Sequence, residues 1–511
     1  MRVGRMPSLS QPERRLIWIG CLAILASSVV LILWYWPGSL PQDNASGVWT
    51  ALAQDLARGI FYRPTADVFG FGGTRYMPLF FVLHASLIRL SLDPVVAGVT
   101  MTLASTALFD LGVLFVLREL GLEWSLAAPL SVLAHAAVAF QVLTLQVKGD
   151  FLAGALNLWG VYLGLRYTRR PSWPWFAGCT LALLGAFLTK FTTVGGAAAL
   201  CVWWLRTKRP GAALALAATL AMLYAASLAT IDWASAGRAF ASFAAVADGG
   251  ARPAYALAAP LWFLRVALQD PVFLIVLVVA SFYAVGQIGS GSAGFPEIYL
   301  VVVAALTLFI FTSPGTDWNH FLDLLGACVL VLGTRLTTRP SEARLAAGLP
   351  VLLAGLTAVS WIPGMVSVKS VIERQGKPAR WKVGAIAARL GPAAHDLLSE
   401  NPILPVMLGQ RPRVLDPFNL RLLARERPEV ASDFRQRMDA GSFGAVVLVD
   451  FSGTDRFHTP AVLEACTASD GARCYGGVVF PSGFLRLLER DYTLSFIEHP
   501  FVVYTPRRRH V

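Results

Sequence analysis

From about residue 16 to about residue 363, apolar runs of roughly 15 to 22 residues follow one another, separated by short basic or Gly/Pro-containing links. A hydrocarbon core about 30 Å thick takes about 20 helical residues to cross, and a helix keeps its backbone polar groups bonded there. The run 16–36 follows Arg2, Arg5, Arg14 and Arg15 and ends in Trp34-Tyr35-Trp36, an interfacial aromatic anchor. It is too long for a signal-peptide core, so it predicts an uncleaved first span with a cytoplasmic N-terminus. Further runs fall at 78–92, 95–117, 125–145, 151–167, 173–188, 193–205, 212–231, 272–286, 297–312, 321–334 and 344–362. Beyond them the pattern shortens and the charges mix. Strands are predicted at 403–408, 445–449 and 501–504, and helices near 383–398, 430–438 and 484–490.

Charge decides which runs cross. If all do, about twelve spans result, and Arg166, Arg169, Arg170, Arg206, Lys208, Arg209, Arg335, Arg339 and Arg344 fall outside. That contradicts the cytoplasmic bias of Lys and Arg in short links. The bias returns at all three links if 78–92, which opens with Pro78 and carries His84 and Arg89, lies in the outer interface instead. The sequence then predicts an α-helical polytopic membrane protein with about eleven spans plus interfacial helices over residues 1–365. Residues 366–511 form a small C-terminal α/β extracytoplasmic domain. In the first outer loop, Val48, Leu52, Leu56 and Ile60 recur every four residues opposite Gln54, Asp55 and Arg58, which predicts an amphipathic surface helix ended by Gly59. The segment 232–270 mixes aromatic and Arg residues and predicts more interfacial helix.

Composition agrees: 56% of residues are apolar and 14% charged. The net charge of +12 sits mainly in the links, so it sets topology and carries no nucleic-acid signature. Cys21, Cys179, Cys201 and Cys328 fall in apolar runs, as small hydrophobes do. Cys466 and Cys474 fall in the tail, as a bridge or as two free thiols. No P-loop, HExxH, CxxC, nucleophile-elbow or dinucleotide motif occurs in a credible context, and the scattered histidines suggest no metal site.

Polar residues at the outer boundary carry the candidate chemistry. Asp43 follows the first span, placed to take a proton from an incoming hydroxyl; a solvated loop acid is the plain alternative. Arg75, in Arg75-Tyr76-Met77-Pro78, suits a phosphate or a lipid headgroup. Lys148-Gly149-Asp150 and Lys190 occupy tips between apolar runs, where ionisable groups are costly and mark function unless they pair with each other. Asn319-His320, flanked by Asp317 and Asp323, opens a late span, and capping explains part of it.

In order and spacing, these features resemble the GT-C superfamily of membrane glycosyltransferases, whose members include bacterial aminoarabinose transferases and protein O-mannosyltransferases. The shared features begin with an early loop Asp, the AQDLARG helix at 53–59 and Tyr76-x-Pro78. The Lys148-Gly149-Asp150 tip, Lys190-x-Thr192, Asn319-His320 and an extracytoplasmic end complete them, over almost the whole chain. The resemblance implies inverting transfer of a sugar from a polyprenyl-phosphate donor to a hydroxyl of a glycan, lipid or protein acceptor. It places this at the outer face of the plasma (inner) membrane. Asp43 would be the base, and Arg75, Lys148 and Lys190 would hold the donor phosphate, supported by Tyr76, Asp150, Asn319 and His320. Many relatives carry an acidic pair where this chain has Asp43 and Asn44, which leaves a divalent metal cofactor open and the second acid's role open to Asp67 or Asp150. A transporter or flippase is the main reading from another class, but the internal repeats with matched broken helices that transporters often show are absent. A receptor that binds through its tail is a third.

Overall fold

The computed structural model describes residues 9–36, 43–247, 253–313, 316–335, 343–361, 380–449, 480–481, 483–498 and 501–507. Cys466 and Cys474 lie outside the described residues. The first helix, α1 (Gln11–Tyr35), crosses α16 (Ala343–Val359) closely: a Cβ on Gly20 would come within 2.5 Å of the Pro350 carbonyl carbon. Next come α2 (Asn44–Ala57), a hairpin of β1 (Ala66–Asp67) and β2 (Gly70–Phe71), α3 (Pro78–Arg89) and α4 (Pro94–Glu119). Arg14, near the start of α1, bonds Glu123, just past the end of α4, at 2.7 Å. The end of α1 and the start of α4 therefore share the other end of the bundle. The 12-residue α3 lies between them at that end.

The apolar run 125–145 is not one helix. It breaks into α5 (Trp124–Ser131), a 3₁₀ turn (Leu133–Ala136) and α6 (Val138–Leu143). Pro129 lies inside α5, and polar side chains satisfy the interrupted backbone. Gln141 donates to the His135 carbonyl at 2.9 Å, and His135 bridges Asp110 on α4 (2.9 Å) and Ser28 on α1 (3.1 Å). The Asp270 carboxylate accepts from Ala139 N in α6 (2.8 Å) and from Phe273 N in the later helix α13 (3.0 Å), so one acid caps two helices.

The chain continues through α7 (Asp150–Arg169), α8 (Trp173–Thr189), α9 (Gly195–Arg206) and α10 (Pro210–Ala234). Two short helices, α11 (Arg238–Ala245) and α12 (Ala259–Ala267), lead into α13 (Pro271–Gly289), α14 (Phe295–Ile310) and α15 (Leu322–Arg335). Four of the described helices, α1, α4, α10 and α13, are long and apolar enough to cross a membrane on their own. Close packing joins neighbouring helices: Gly160 lets Leu183 of α8 approach α7 so closely that a Cβ would stand 2.6 Å from it. Ion pairs tie the end that carries the basic links: Arg335 to Glu297 at 2.6 Å, and Arg166 and Arg169 to Glu119 at 3.3 and 3.2 Å.

The C-terminal residues form a four-stranded sheet in the order β3 (Leu397–Ser399), β4 (Ala445–Val449), β6 (Phe501–Pro506) and β5 (Tyr492–Glu498). β3 and β4 run parallel and the other pairs antiparallel. Alternate residues serve two cores: Val446, Leu448, Val502 and Tyr504 meet helices Pro417–Glu426, Pro428–Asp439 and Phe484–Asp491. Val447, Val449, Phe501 and Val503 meet helix Arg380–Leu390. Covered on both faces, β4 is buried at every residue.

Three assignments change here. Residues 403–408, expected as a strand, form the short helix Ile403–Met407, with Pro402 at its N-cap and Pro405 in its first turn. The helix expected over 383–398 stops at Leu390 before Gly391 (φ +56°), and its last residues enter strand β3. The helix α2 is also no surface helix. Gln54 and Asp55, expected to face water, are 4% and 1% exposed because the C-terminal residues cover them. Arg63 pairs with Asp55 and donates to the Pro412 carbonyl at 2.7 Å. Phe71 N donates to Arg413 O at 2.8 Å, and Leu415 N to Phe71 O at 2.9 Å.

Candidate functional site

The loops at the α1-end of the bundle bring distant parts of the sequence together. Asp43 is the N-cap of α2, where Oδ1 accepts from the Ser46 N–H (2.8 Å) and hydroxyl (2.7 Å). Its other oxygen, Oδ2, lies 2.5 Å from the Lys148 ammonium. Lys148 and Asp150 share the turn into α7, and Lys190 ends α8. Asn319 and His320 sit in a 3₁₀ turn (Trp318–Phe321) just before α15. Lys190 pairs with Asp150 at 2.5 Å, and the Asn319 amide donates to the same Asp150 oxygen at 2.9 Å.

Arg75 and Tyr76 arrive just before α3. Tyr76 stacks on Trp49 of α2, with centroids 4.4 Å apart and planes 18° apart, and Tyr62 donates to its carbonyl at 2.9 Å. The Arg75 guanidinium lies 5.4 Å from the centre of the Phe418 ring. The eight residues singled out from the sequence thus form one cluster. Asp67 does not join it: its carboxylate closes the hairpin turn by accepting from Phe69 N and Gly70 N, and faces Arg411.

Electrostatics tie the cluster together. Burial raises the Asp43 carboxyl, but the Lys148 charge and hydrogen bonds from Lys148 and Ser46 outweigh it and hold Asp43 below the usual range. Burial likewise pulls the Lys148 ammonium down, while Asp43 and Asp150 more than restore it. Burial, with the cations Lys190, Arg75 and Lys148, drives His320 well below its ordinary value and keeps the imidazole neutral. Burial raises the Tyr76 hydroxyl too, within the fields of Asp416, Arg75, Asp43 and Asp150.

The sequence did not single out Asp416. It caps helix Pro417–Glu426 by accepting from Phe418 N at 3.0 Å, and its partners include the Asn44 side chain and the Arg75 charge. Its one sequence signal, an acid before Pro417, reads as a helix cap. Asp323 was noted only as a flanking acid, and its neighbours Asn157 and Tyr299 were not noted at all.

A cleft of about 400 Å³, counted with the solvent at its mouth, opens beside the cluster. Asp150, Lys190, Asn319, His320 and Asp323 line one side, and Val303, Leu306 and Ile310 of α14 form an apolar wall. Among the described residues, no three His, Cys, Asp or Glu side chains group to hold an ion. Both Asp43 oxygens are already engaged, by Ser46 and Lys148. This donor set does not fit a divalent metal, and no step below passes through one.

Among solved structures, the chain is similar to ArnT from Cupriavidus metallidurans in the apo state, with TM-score 0.57 and 13% identity over 94% of this chain and 97% of that one. It matches the same protein bound to undecaprenyl phosphate with TM-score 0.57 and 11% identity, covering 95% and 98% of the two chains. It also matches the archaeal oligosaccharyltransferase AglB from Archaeoglobus fulgidus, in complex with an inhibitory peptide and a dolichol-phosphate. There the TM-score is 0.50 and the identity 11%, over 98% of this chain and 75% of that one. No family model and no curated protein matches the sequence. ArnT and AglB are GT-C glycosyltransferases, and this chain has their fold.

Proposed function

We propose that this protein is a membrane glycosyltransferase. It transfers a sugar from a polyprenyl-phosphate donor to an acceptor hydroxyl at the outer face of the plasma membrane, with inversion. The observation that carries the proposal is the meeting of two aspartate–lysine pairs with Arg75, Asn319 and His320 beside an apolar-walled cleft. The fold, shared with a protein crystallised with undecaprenyl phosphate, supports it. In this proposal about eleven segments cross the bilayer, residues 366–511 form an extracytoplasmic domain, and the N-terminus is cytoplasmic.

Each group has a task set by its surroundings. Arg75, Lys148 and Lys190 offer the charge that a lipid phosphate needs as it leaves with the electron pair of the broken C1–O bond. The acceptor oxygen forms the new bond to C1 from the opposite face, and its proton passes to Asp43. While Lys148 sits on it, Asp43 is a weak base. Once the phosphate draws Lys148 away, the same buried carboxylate loses its counter-charge and becomes more basic. Asp150 and Asn319 hold Lys190 in place, and neutral His320 can hydrogen-bond the phosphate or the sugar without adding charge. Tyr76, stacked on Trp49, shapes the wall near Asp43.

The test is transfer of a radiolabelled sugar from polyprenyl phosphate by the full-length protein in nanodiscs. Asp43→Ala is expected to reduce transfer about 10²- to 10⁴-fold while leaving donor binding intact. Full activity in folded Asp43→Ala would refute the base assignment. Transport of the donor without transfer would favour a flippase.

A further inference from the structure

None of these steps uses Asp323, which lies in the first turn of α15 and lines the same cleft. The cation that faces it, Lys190, is held by Asp150. Among the described residues its carboxylate receives one hydrogen bond, from the Asn157 amide at 3.3 Å. Asn157 is itself fixed from two further sides: the same amide donates to the Tyr299 hydroxyl at 2.9 Å, and its carbonyl accepts from Gly196 N at 2.9 Å. Asn157 and Tyr299 are both wholly buried. A Cβ at position 196 would stand 2.3 Å from Asn157 Oδ1, so only glycine permits this approach. Four helices, α7, α9, α14 and α15, thus converge to orient one acid at the cleft wall.

A carboxylate inside a helical bundle is costly, and such groups lean functional unless a partner charge balances them. The N-terminal turn of α15 lowers that cost without supplying a ligand. The donor has three parts that could meet this acid. An isoprenoid chain has no hydrogen to donate and would leave the carboxylate unsatisfied. A phosphate is an anion and is repelled. A sugar ring presents several O–H donors, and an ionised carboxylate is acceptor-only, with two oxygens.

The geometry points to Asp323 as the residue that reads the sugar of the donor, accepting hydrogen bonds from a pair of ring hydroxyls beside the Lys190 end of the cleft. This rests on the donor assignment above. Asn157, through Gly196 and Tyr299, is the positioning residue that sets the carboxylate's angle.

The experiment measures binding to the full-length protein in nanodiscs. The probes are undecaprenyl phosphate alone and undecaprenyl phosphates carrying glucose, mannose, galactose or arabinose. The wild type is expected to bind at least one sugar-bearing lipid more tightly than the bare one. Asp323→Ala is expected to weaken that lipid about 10- to 100-fold, as loss of a hydrogen bond to a charged group does, and to leave the bare lipid within about twofold. Asp323→Asn, which keeps shape and one acceptor, is expected to lose part of the preference and carries the test if the alanine variant does not fold. Asn157→Leu is expected to follow the alanine pattern. Equal loss for bare and sugar-bearing lipids, no loss for either, or a wild type without sugar preference overturns the inference alone. A wild type that binds none of these lipids overturns the donor assignment and this inference together, and shows before any variant is compared.

Discussion

The Lys148 ammonium and the Asp43 carboxylate stand 2.5 Å apart, with their side chains 10% and 21% exposed, so each is the other's main counter-charge in a largely dry setting. Removing one partner of such a pair strands the other. Lys148→Met is therefore expected to cost up to about 3 kcal/mol of stability, and the Asp43→Asn/Lys148→Met double variant less than the sum of the single changes. Thermal melts in nanodiscs measure both. Equal, additive losses would show that the two charges do not depend on each other.

The same pair sets a pH dependence. Lys148 and Ser46 hold Asp43 below its ordinary value, so the stability it contributes is present above the unfolded carboxyl's value and is lost as pH falls through the folded one. In Lys148→Met that support disappears and burial dominates. Protonation of free-enzyme Asp43 should then move to higher pH, read as an upward shift of the acidic limb of the kcat/KM profile. An unmoved acidic limb would separate that limb from Asp43.

Arg75 leans on Phe418 and faces Asp416, both from the C-terminal residues. Arg75→Ala is expected to weaken binding of undecaprenyl phosphate about 10- to 100-fold. Arg75→Lys should recover little of it, because a point charge neither stacks on the ring nor bonds in a fork. Full rescue by lysine would reduce the role of Arg75 to charge alone.

Glu400 follows β3 and is 1% exposed; burial pushes its carboxyl up to about 8, opposed by one hydrogen bond from Val449 N at 2.8 Å. Between the unfolded value and about 8, the folded state holds a proton that the unfolded state has lost. Stability from this group therefore falls as pH rises through that window, by about 1.4 kcal/mol per unit at most. Glu400→Gln is expected to remove that slope and to melt higher than wild type at neutral pH. A slope unchanged in the glutamine variant would exclude Glu400 as its source.

The chain's order of apolar runs was enough to anticipate a mostly helical bundle and α3 as a short helix between two longer ones. Period and charge are local properties, and those carry such features. The break at 125–145 was not legible, because it depends on His135 finding Asp110 and Ser28 on other helices, and on Asp270 capping α6 from more than a hundred residues away. The misread helix at Ile403–Met407 has strand-like composition, and its packing against α2 decides its form; a Cβ on Gly47 would lie 2.7 Å from Ile403 N. Most of the residues that cluster could be named because ionisable groups between apolar runs stand out. Their pairing could not, since nothing in the spacing says that Lys148 chooses Asp43 and Lys190 chooses Asp150. Asp416 and Asp323 look like ordinary helix-start acids until the fold shows what they face.

The hairpin at Ala66–Phe71 meets Arg413–Leu415 so tightly that a Cβ on Gly70 would lie 1.9 Å from the Arg413 carbonyl oxygen. With Arg63 bonded to Pro412, this seam joins the loop after α2 to the last third of the chain. A polypeptide is synthesised from its N-terminus, so residues 43–77 wait for about 340 more residues before the surface that covers them exists. Until then the buried Asp55 and Arg63 have no lid, and Arg75 has no Phe418 to rest on. A ribosome-bound or truncated chain is therefore expected to hold the Asp43–Lys148 and Asp150–Lys190 pairs while α2 and Arg75 still lack the cover that the C-terminal residues bring.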